Sequence, residues 1–314
     1  MQGVVQGWDV PEEWRGGFAA IGNFDGVHRG HQSLFQQLTA TAKTANVPSI
    51  VVTFDPPPLA LLRPAALPPR LTTIEQRVEL IRRAGIDGVW ILPTTWELLR
   101  LAPAEFFERV VLEKLAARGL VEGSNFYFGR DRAGTIEVLR ELCTAHRITL
   151  DVIEPVRIHG EWVSSSAIRT ALTAGDLATA VRQLGHPYRL CGQVVDGAHR
   201  GRTLGFPTAN LSGVKTVIPA HGVYAGGTAV QGQNFAAAVH IGPNPTFGDA
   251  TAKIEVHLLD FTGDLYGVTL SVDLIDHVRA VRRFADLQEL QAQIQADIAT
   301  VRRRVERADS GNSA

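Results

Sequence analysis

Phe18-Ala19-Ala20-Ile21-Gly22-Asn23-Phe24-Asp25-Gly26-Val27-His28-Arg29-Gly30-His31 decides how the first half of this 314-residue chain is read. Its opening apolar run predicts a strand, and the pattern over 30–45 predicts a helix. Between them lie glycines and two histidines. A helix N-terminus presents unpaired N–H groups and the positive end of the helix dipole, while glycines admit close backbone approach. Strand, H-x-G-H and helix in that order predict a phosphate cradle, with Gly22, Phe24 and Gly26 in its loop and His28 and His31 as donors.

Outward from that stretch, strand patterns at 49–53 and 88–92 alternate with a helical pattern at 73–84. This is the signature of a parallel sheet wrapped by helices, so the first half reads as α/β. The proline-rich stretch from 56 to 69 predicts a surface loop rather than regular helix or central strand. After a helical pattern at 176–184 the chain changes character. Glycine-punctuated strand patterns at 189–195, 223–230, 235–241, 254–258 and 269–275 predict a small all-β barrel or sandwich, closed by a helix over 286–307. The expected domains are 1–184 and 185–308, with a flexible polar tail at 309–314.

Thirty-one Lys and Arg stand against 32 Asp and Glu, a net charge of -1 that gives no broad reason to expect nucleic acid or an anionic membrane as partner. No apolar run approaches the roughly 20 residues that span a bilayer. Asp9, Glu12 and Glu13 near the start do not fit a secretory signal. Cys143 and Cys191 form no C-x-x-C spacing, so a cytoplasmic protein without a disulfide framework is expected. No obligatory protein partner is evident.

An H-x-G-H after a first strand resembles the nucleotidyltransferase superfamily, whose Rossmann-like members bind ATP, direct attack at its α-phosphate and release pyrophosphate. A second element of that superfamily is Val163-Ser164-Ser165-Ser166-Ala167-Ile168-Arg169, with hydroxyls before a helix and an arginine on its first turn. Within the superfamily the half resembles the FAD synthetase module, through 22–31, Thr53-Phe54-Asp55-Pro56, Asn125-Phe126-Tyr127-Phe128-Gly129 and 164–169. That resemblance implies ATP contacts from Ser164, Ser165 and Arg169, and places Asn125 at the flavin and nucleotide site. Phe54 and Phe126 would offer aromatic surface to an isoalloxazine, with core packing the alternative for Phe54 and Phe128. The family's Phe-Asp-Pro-His-Pro is altered: Pro57 stands in place of the histidine, removing a donor.

In the second half, Asp196-Gly197 begins a basic, glycine-rich loop that ends in Gly205-Phe206-Pro207-Thr208-Ala209-Asn210. Gly197, Gly201 and Gly205 would let backbone fold over ATP phosphates, and the Thr208 hydroxyl and Asn210 carbonyl are hard donors suited to Mg²⁺. With Gly222-Val223-Tyr224-Ala225-Gly226, the stretch 241–248 and Glu255-Val256-His257-Leu258-Leu259-Asp260, this half resembles riboflavin kinase. The resemblance implies a six-stranded antiparallel barrel, Glu255 as the catalytic carboxylate and Arg279 near the flavin. His240, where many relatives carry Asn, and Pro243-Asn244 are departures expected to lie outside the chemistry.

Together the halves resemble the bacterial bifunctional riboflavin kinase/FAD synthetase family. The implied substrates are riboflavin, FMN and ATP with Mg²⁺, and the products FMN and FAD. The alternative within this class is a monofunctional riboflavin kinase whose adenylyltransferase domain is impaired, motivated by Pro57. A flavin-sensing binding protein has no need of Thr208, Asn210 and Glu255 together. An aminoacyl-tRNA synthetase needs a tRNA-binding extension and a basic surface that this sequence lacks.

Overall fold

The computed structural model describes residues 3–197, 201, 205–244 and 249–311. The chain divides into two compact units. The first comprises 1–68 and 72–164, the second 69–71 and 165–314.

The first unit is built on a six-stranded parallel sheet in the order β1-β4-β3-β2-β5-β6. Its strands are β1 (Val4–Gln6), β2 (Phe18–Ile21), β3 (Ser49–Asp55), β4 (Gly88–Pro93), β5 (Gly119–Gly123) and β6 (Thr149–Ile153). Alternate side chains enter opposite layers. Ala19, Ile21, Val52, Trp90 and Leu120 face one apolar cluster; Phe18, Ala20, Val51, Val89 and Val121 face another. Burial on both faces is what a parallel sheet requires, and it is why these strands read as continuous apolar runs. After β2 the chain proceeds through α1 (Arg29–Thr44) to β3, whereas β5 pairs on the other side of β2. The switch in winding direction thus falls between β2 and β5, where α/β sheets place their ligand crevice.

The β2 run is not the first strand: β1 precedes it at the sheet edge, too short to show a period. The proline-rich stretch is not all loop, because α2 (Leu59–Leu62) and a 3₁₀ turn at Pro64–Ala66 form within it, each entered through a proline that fits a first helical turn. The helix α3 (Ile74–Arg83) is capped at its start by a reciprocal capping box between Thr73 and Gln76; α4 (Trp96–Arg100), α5 (Pro103–Phe106) and α6 (Ile136–Ala145) follow it, and β7 (Arg157–Ile158) pairs with β8 (Glu161–Trp162) in a separate two-stranded sheet.

The second unit is a closed antiparallel barrel in the order β10-β13-β12-β11-β14-β9. Its strands are β9 (Tyr188–Val195), β10 (Ala209–Ser212), β11 (Gly222–Val230), β12 (Gln233–Asn244), β13 (Asp249–Leu258) and β14 (Thr269–Arg279). Leu190, Tyr224, Val239, Val256 and Val272 alternate inward and fill the barrel. Two preceding helices, α7 (Ser165–Ala174) and α8 (Leu177–Leu184), belong to this unit and contribute Ile168, Leu172 and Leu184 to the same core. The compact units therefore part between 164 and 165. The last helix, which we call α9 (Leu287–Gly311), lays Ile298, Val301 and Val305 against Ala225, Ala236 and Leu259. It extends past the expected helix end into the region read as a tail, leaving only 312–314 outside the described residues.

Candidate active sites

The 22–31 loop leaves β2 and enters α1. Gly26 has a φ of +84°, and its N–H donates to the Thr72 hydroxyl at 3.1 Å. Asp25 holds the same threonine, accepting from its backbone N–H at 3.0 Å and its hydroxyl at 3.1 Å. Arg77, buried on α3, reaches Asp25 at 3.5 Å and the Thr53 hydroxyl at 3.3 Å. Loop, β3 and α3 are thereby tied together. Neither Arg77 nor Thr72 was legible in the sequence as part of this frame, because each acts on the loop from another element.

His28 is the N-cap of α1, its Nδ1 accepting from the His31 N–H at 3.4 Å. The two imidazoles stack with centroids 3.6 Å apart, and Phe24 meets His31 edge-on at 5.2 Å. Burial, with His28 and Arg77 beside it, holds the His31 imidazole well below the usual histidine range, so it is neutral at pH 7. Its Nδ1 is buried and lacks a hydrogen-bond partner. A sealed polar nitrogen at a helix N-terminus is costly unless a ligand satisfies it.

Glu122, near the end of β5, was missed. It is 1% exposed, its Oε1 accepts from the Ile21 N–H at 2.7 Å, and burial pushes its carboxyl well above the usual range. An acid inside the run Leu120-Val121-Glu122 was the available signal.

Asn125 is exposed in the turn after β5. Phe126 is half-buried and stacks on Phe128 at 5.5 Å, while Phe54 is buried in the core with Phe128. Pro57 sits in the turn entering α2, where its carbonyl accepts from Ala60 N–H at 2.8 Å. Ser164 closes the first unit, and Ser165 opens α7 in the second. Arg169 is one turn further into α7 than expected, its Nε donating to Pro69 O at 2.7 Å.

In the barrel, Glu255 of β13 stands in register between Asn210 of β10 and His240 of β12. Register partners point to the same face, and Ile254 and Val256 point inward, so the three side chains form a row on the outer surface. Gly197 lies against Asn210 of this row, and Gly201 against Phe206 and Thr208. A Cβ on Gly197 would stand 2.1 Å from Asn210 Nδ2; one on Gly201 would meet Phe206 O at 2.3 Å and Thr208 Oγ1 at 3.3 Å. At these two positions any side chain would collide with its neighbour, so glycine is needed. Gly205, at a φ of +86°, precedes the segment that brings Thr208 to β10. The intervening 198–200 and 202–204, like 245–248 of the second quoted motif, fall outside the described residues.

The expectation that His240 lies outside the chemistry is corrected: its Nδ1 is 3.8 Å from Glu255 Oε2. Burial lowers its pKa, with Arg279 and His221 adding to the effect and Glu255 opposing it. A neutral imidazole therefore flanks the carboxylate. Arg279 lies in β14 and binds Asp297 of α9 through Nε and Nη2 at 2.8–3.0 Å, its Nη1 donating to Ala280 O. Asp276 and His277 also belong to β14.

A family model for FAD synthetase matches residues 10–167, and one for riboflavin kinase matches 184–305. A bifunctional riboflavin kinase/FMN adenylyltransferase of Pseudomonas fluorescens is 40% identical over 291 residues, covering 92% of this chain and 93% of the relative. This chain belongs to that family. The Escherichia coli K12 member is 35% identical over 303 residues, 96% of each chain. Among solved structures, one described as a macrolide-efflux protein from Streptococcus pneumoniae matches with a TM-score of 0.84 and 30% identity, covering 95% of this chain and 98% of its own. No described helix here is long and apolar enough to cross a membrane. Membership accounts for two differently built sites on one chain, since each family model covers one of them.

Proposed function

We propose that this chain is a bifunctional transferase: ATP phosphorylates riboflavin to FMN at the barrel, and a second ATP adenylylates FMN to FAD at the parallel-sheet unit. The observation that carries the reading is the row Asn210–Glu255–His240 with Gly197 packed against Asn210, alongside a histidine-lined helix N-terminus in the other unit. The monofunctional alternative is not favoured, because relatives bearing both activities in their names align along nearly the whole chain.

In the kinase step, Glu255 accepts the proton of the ribityl 5′-hydroxyl as that oxygen attacks the γ-phosphorus and ADP leaves. His240, whose pKa burial lowers, stands beside that carboxyl at 3.8 Å. The Thr208 hydroxyl and Asn210 side-chain carbonyl are hard oxygen donors close to one another along the chain, so the residues fit Mg²⁺. Mg²⁺, when bound with ATP, would offset negative charge on the phosphates.

In the adenylyl step, an FMN phosphate oxygen attacks the α-phosphorus of ATP and pyrophosphate departs. The N-terminal amides of α1 and the neutral imidazole of His31 would donate hydrogen bonds to the triphosphate. Asn125, Phe54 and Phe126 are the flavin-side candidates of this unit, and Arg279 is that of the barrel. Chromatography after incubation with riboflavin, ATP and Mg²⁺ tests the reading: FMN and FAD are expected, and no conversion of riboflavin overturns it.

A further inference from the structure

The β2–β5 ladder stops early. Its paired residues are Phe18 with Gly119 and Ala19 with Leu120, so β2 ends at Ile21 without a backbone partner on that side. The Ile21 N–H donates instead to Glu122 Oε1 at 2.7 Å. On the other side β2 remains fully tied: Ile21 is in register with Val52, and Gly22 N–H donates to Val52 O at 3.0 Å. Glu122 itself is 1% exposed, beside an apolar layer that includes Leu120, Leu139 and Cys143.

A backbone carbonyl at this point would hold β2 and β5 at ladder spacing to their ends. A side-chain acceptor is longer, so it satisfies the last amide of β2 while the two strands part. Parted C-terminal ends at a winding switch are what create a ligand crevice in this class of sheet. One bond therefore links the exits of two loops: Gly22 follows Ile21 into the 22–31 cradle, and Asn125 lies three residues beyond Glu122. A carboxyl is expensive in this setting, and a sheet that needed only closure would use none.

We infer that Glu122 is a positioning residue for adenylyl transfer, its carboxyl pinning the end of β2 across the parted strands and so fixing the cradle relative to the Asn125 turn. The inference rests on the adenylyltransferase reading of this unit. It assigns to Glu122 no contact with substrate and no proton transfer.

Two variants test it. Glu122→Leu removes the acceptor, and Glu122→Gln restores an oxygen at nearly the same reach. For FMN to FAD, Glu122→Leu should lower kcat and kcat/KM together by about ten- to a hundredfold, the effect of misplacing a reacting group by about 1 Å. Glu122→Gln should recover kcat to within about threefold, on the same scale. Riboflavin phosphorylation, carried out in the other unit, should be unchanged in both, and protected amides of β3 and β4 should exchange as in the unsubstituted chain, which shows that the first unit is folded. Hydrogen exchange at the Ile21 amide should be faster in Glu122→Leu alone. Unchanged kcat in Glu122→Leu, or equal losses in Leu and Gln, overturns the inference. If the unsubstituted chain makes no FAD, the adenylyltransferase reading fails instead, and unchanged Ile21 exchange in Glu122→Leu then separately overturns the pinning role.

Discussion

Replacing Gly197 by alanine should cripple riboflavin phosphorylation while leaving the fold and the FMN-to-FAD step intact. The added Cβ would stand 2.1 Å from Asn210 Nδ2 and 2.7 Å from its Cγ, where ordinary contact begins near 3.4 Å. The amide must retreat by about 1.3 Å, the difference between 3.4 and 2.1 Å. The backbone of Asn210 cannot follow, since β10 is paired with Val195 on one side and Glu255 on the other. The far end of a side chain moves cheaply, so stability should change little, within the range of an ordinary surface substitution, about 0.5 kcal/mol. Function has no such tolerance: a shift of about 1 Å in a group holding a reactant costs roughly a hundredfold in rate, or about 2.7 kcal/mol of barrier. Initial rates of FMN formation from riboflavin, and of FAD formation from FMN, should be measured on the same preparation. Kinase kcat/KM within threefold of the unsubstituted chain would refute the view that Gly197 must lie against Asn210.

Two further outcomes follow from charge and burial. His31 resists protonation when folded, whereas the unfolded chain takes up a proton near the ordinary value of 6.5. Its neutral state therefore adds stability that is fully present above pH 6.5 and is lost as pH falls toward its depressed folded value; urea midpoints at pH 7.5 and 5.5 should differ more in the unsubstituted chain than in His31→Gln. Asp297, 6% exposed, pairs with Arg279 at 2.8 Å, and Asp297→Ala strands the guanidinium between β14 and α9. Removing one partner of such a pair costs about 3–5 kcal/mol, read as a lower denaturation midpoint of the barrel unit.

The α/β half was legible because its strands are buried on both faces and show as unbroken apolar runs, as at Ile50-Val51-Val52. β1 and β10 were not, since three or four residues carry too little periodicity and their pairing is set by distant partners such as Val89 and Glu255. The histidines of the cradle announced themselves through a local motif. Thr72 and Arg77, which hold that loop in place, lie 46 residues beyond Gly26 and 52 beyond Asp25, and carry no motif. His240 was misjudged for the same reason: its nearness to Glu255 depends on the β12–β13 register, which no spacing along the chain reveals. Glu122 was visible as an acid in an apolar run, yet its role appears only once β2 and β5 are seen to part.

The most direct test of two chemistries on separate sites is Glu255→Gln, assayed from riboflavin and from FMN with ATP and Mg²⁺. The amide keeps the side chain's shape in the row with Asn210 and His240 but cannot accept the hydroxyl proton, so FMN formation should fall by about 10²–10⁴-fold. FMN supplied directly should still be converted to FAD at the unsubstituted rate. Loss of both activities in a folded variant, or undiminished FMN formation, would contradict the account.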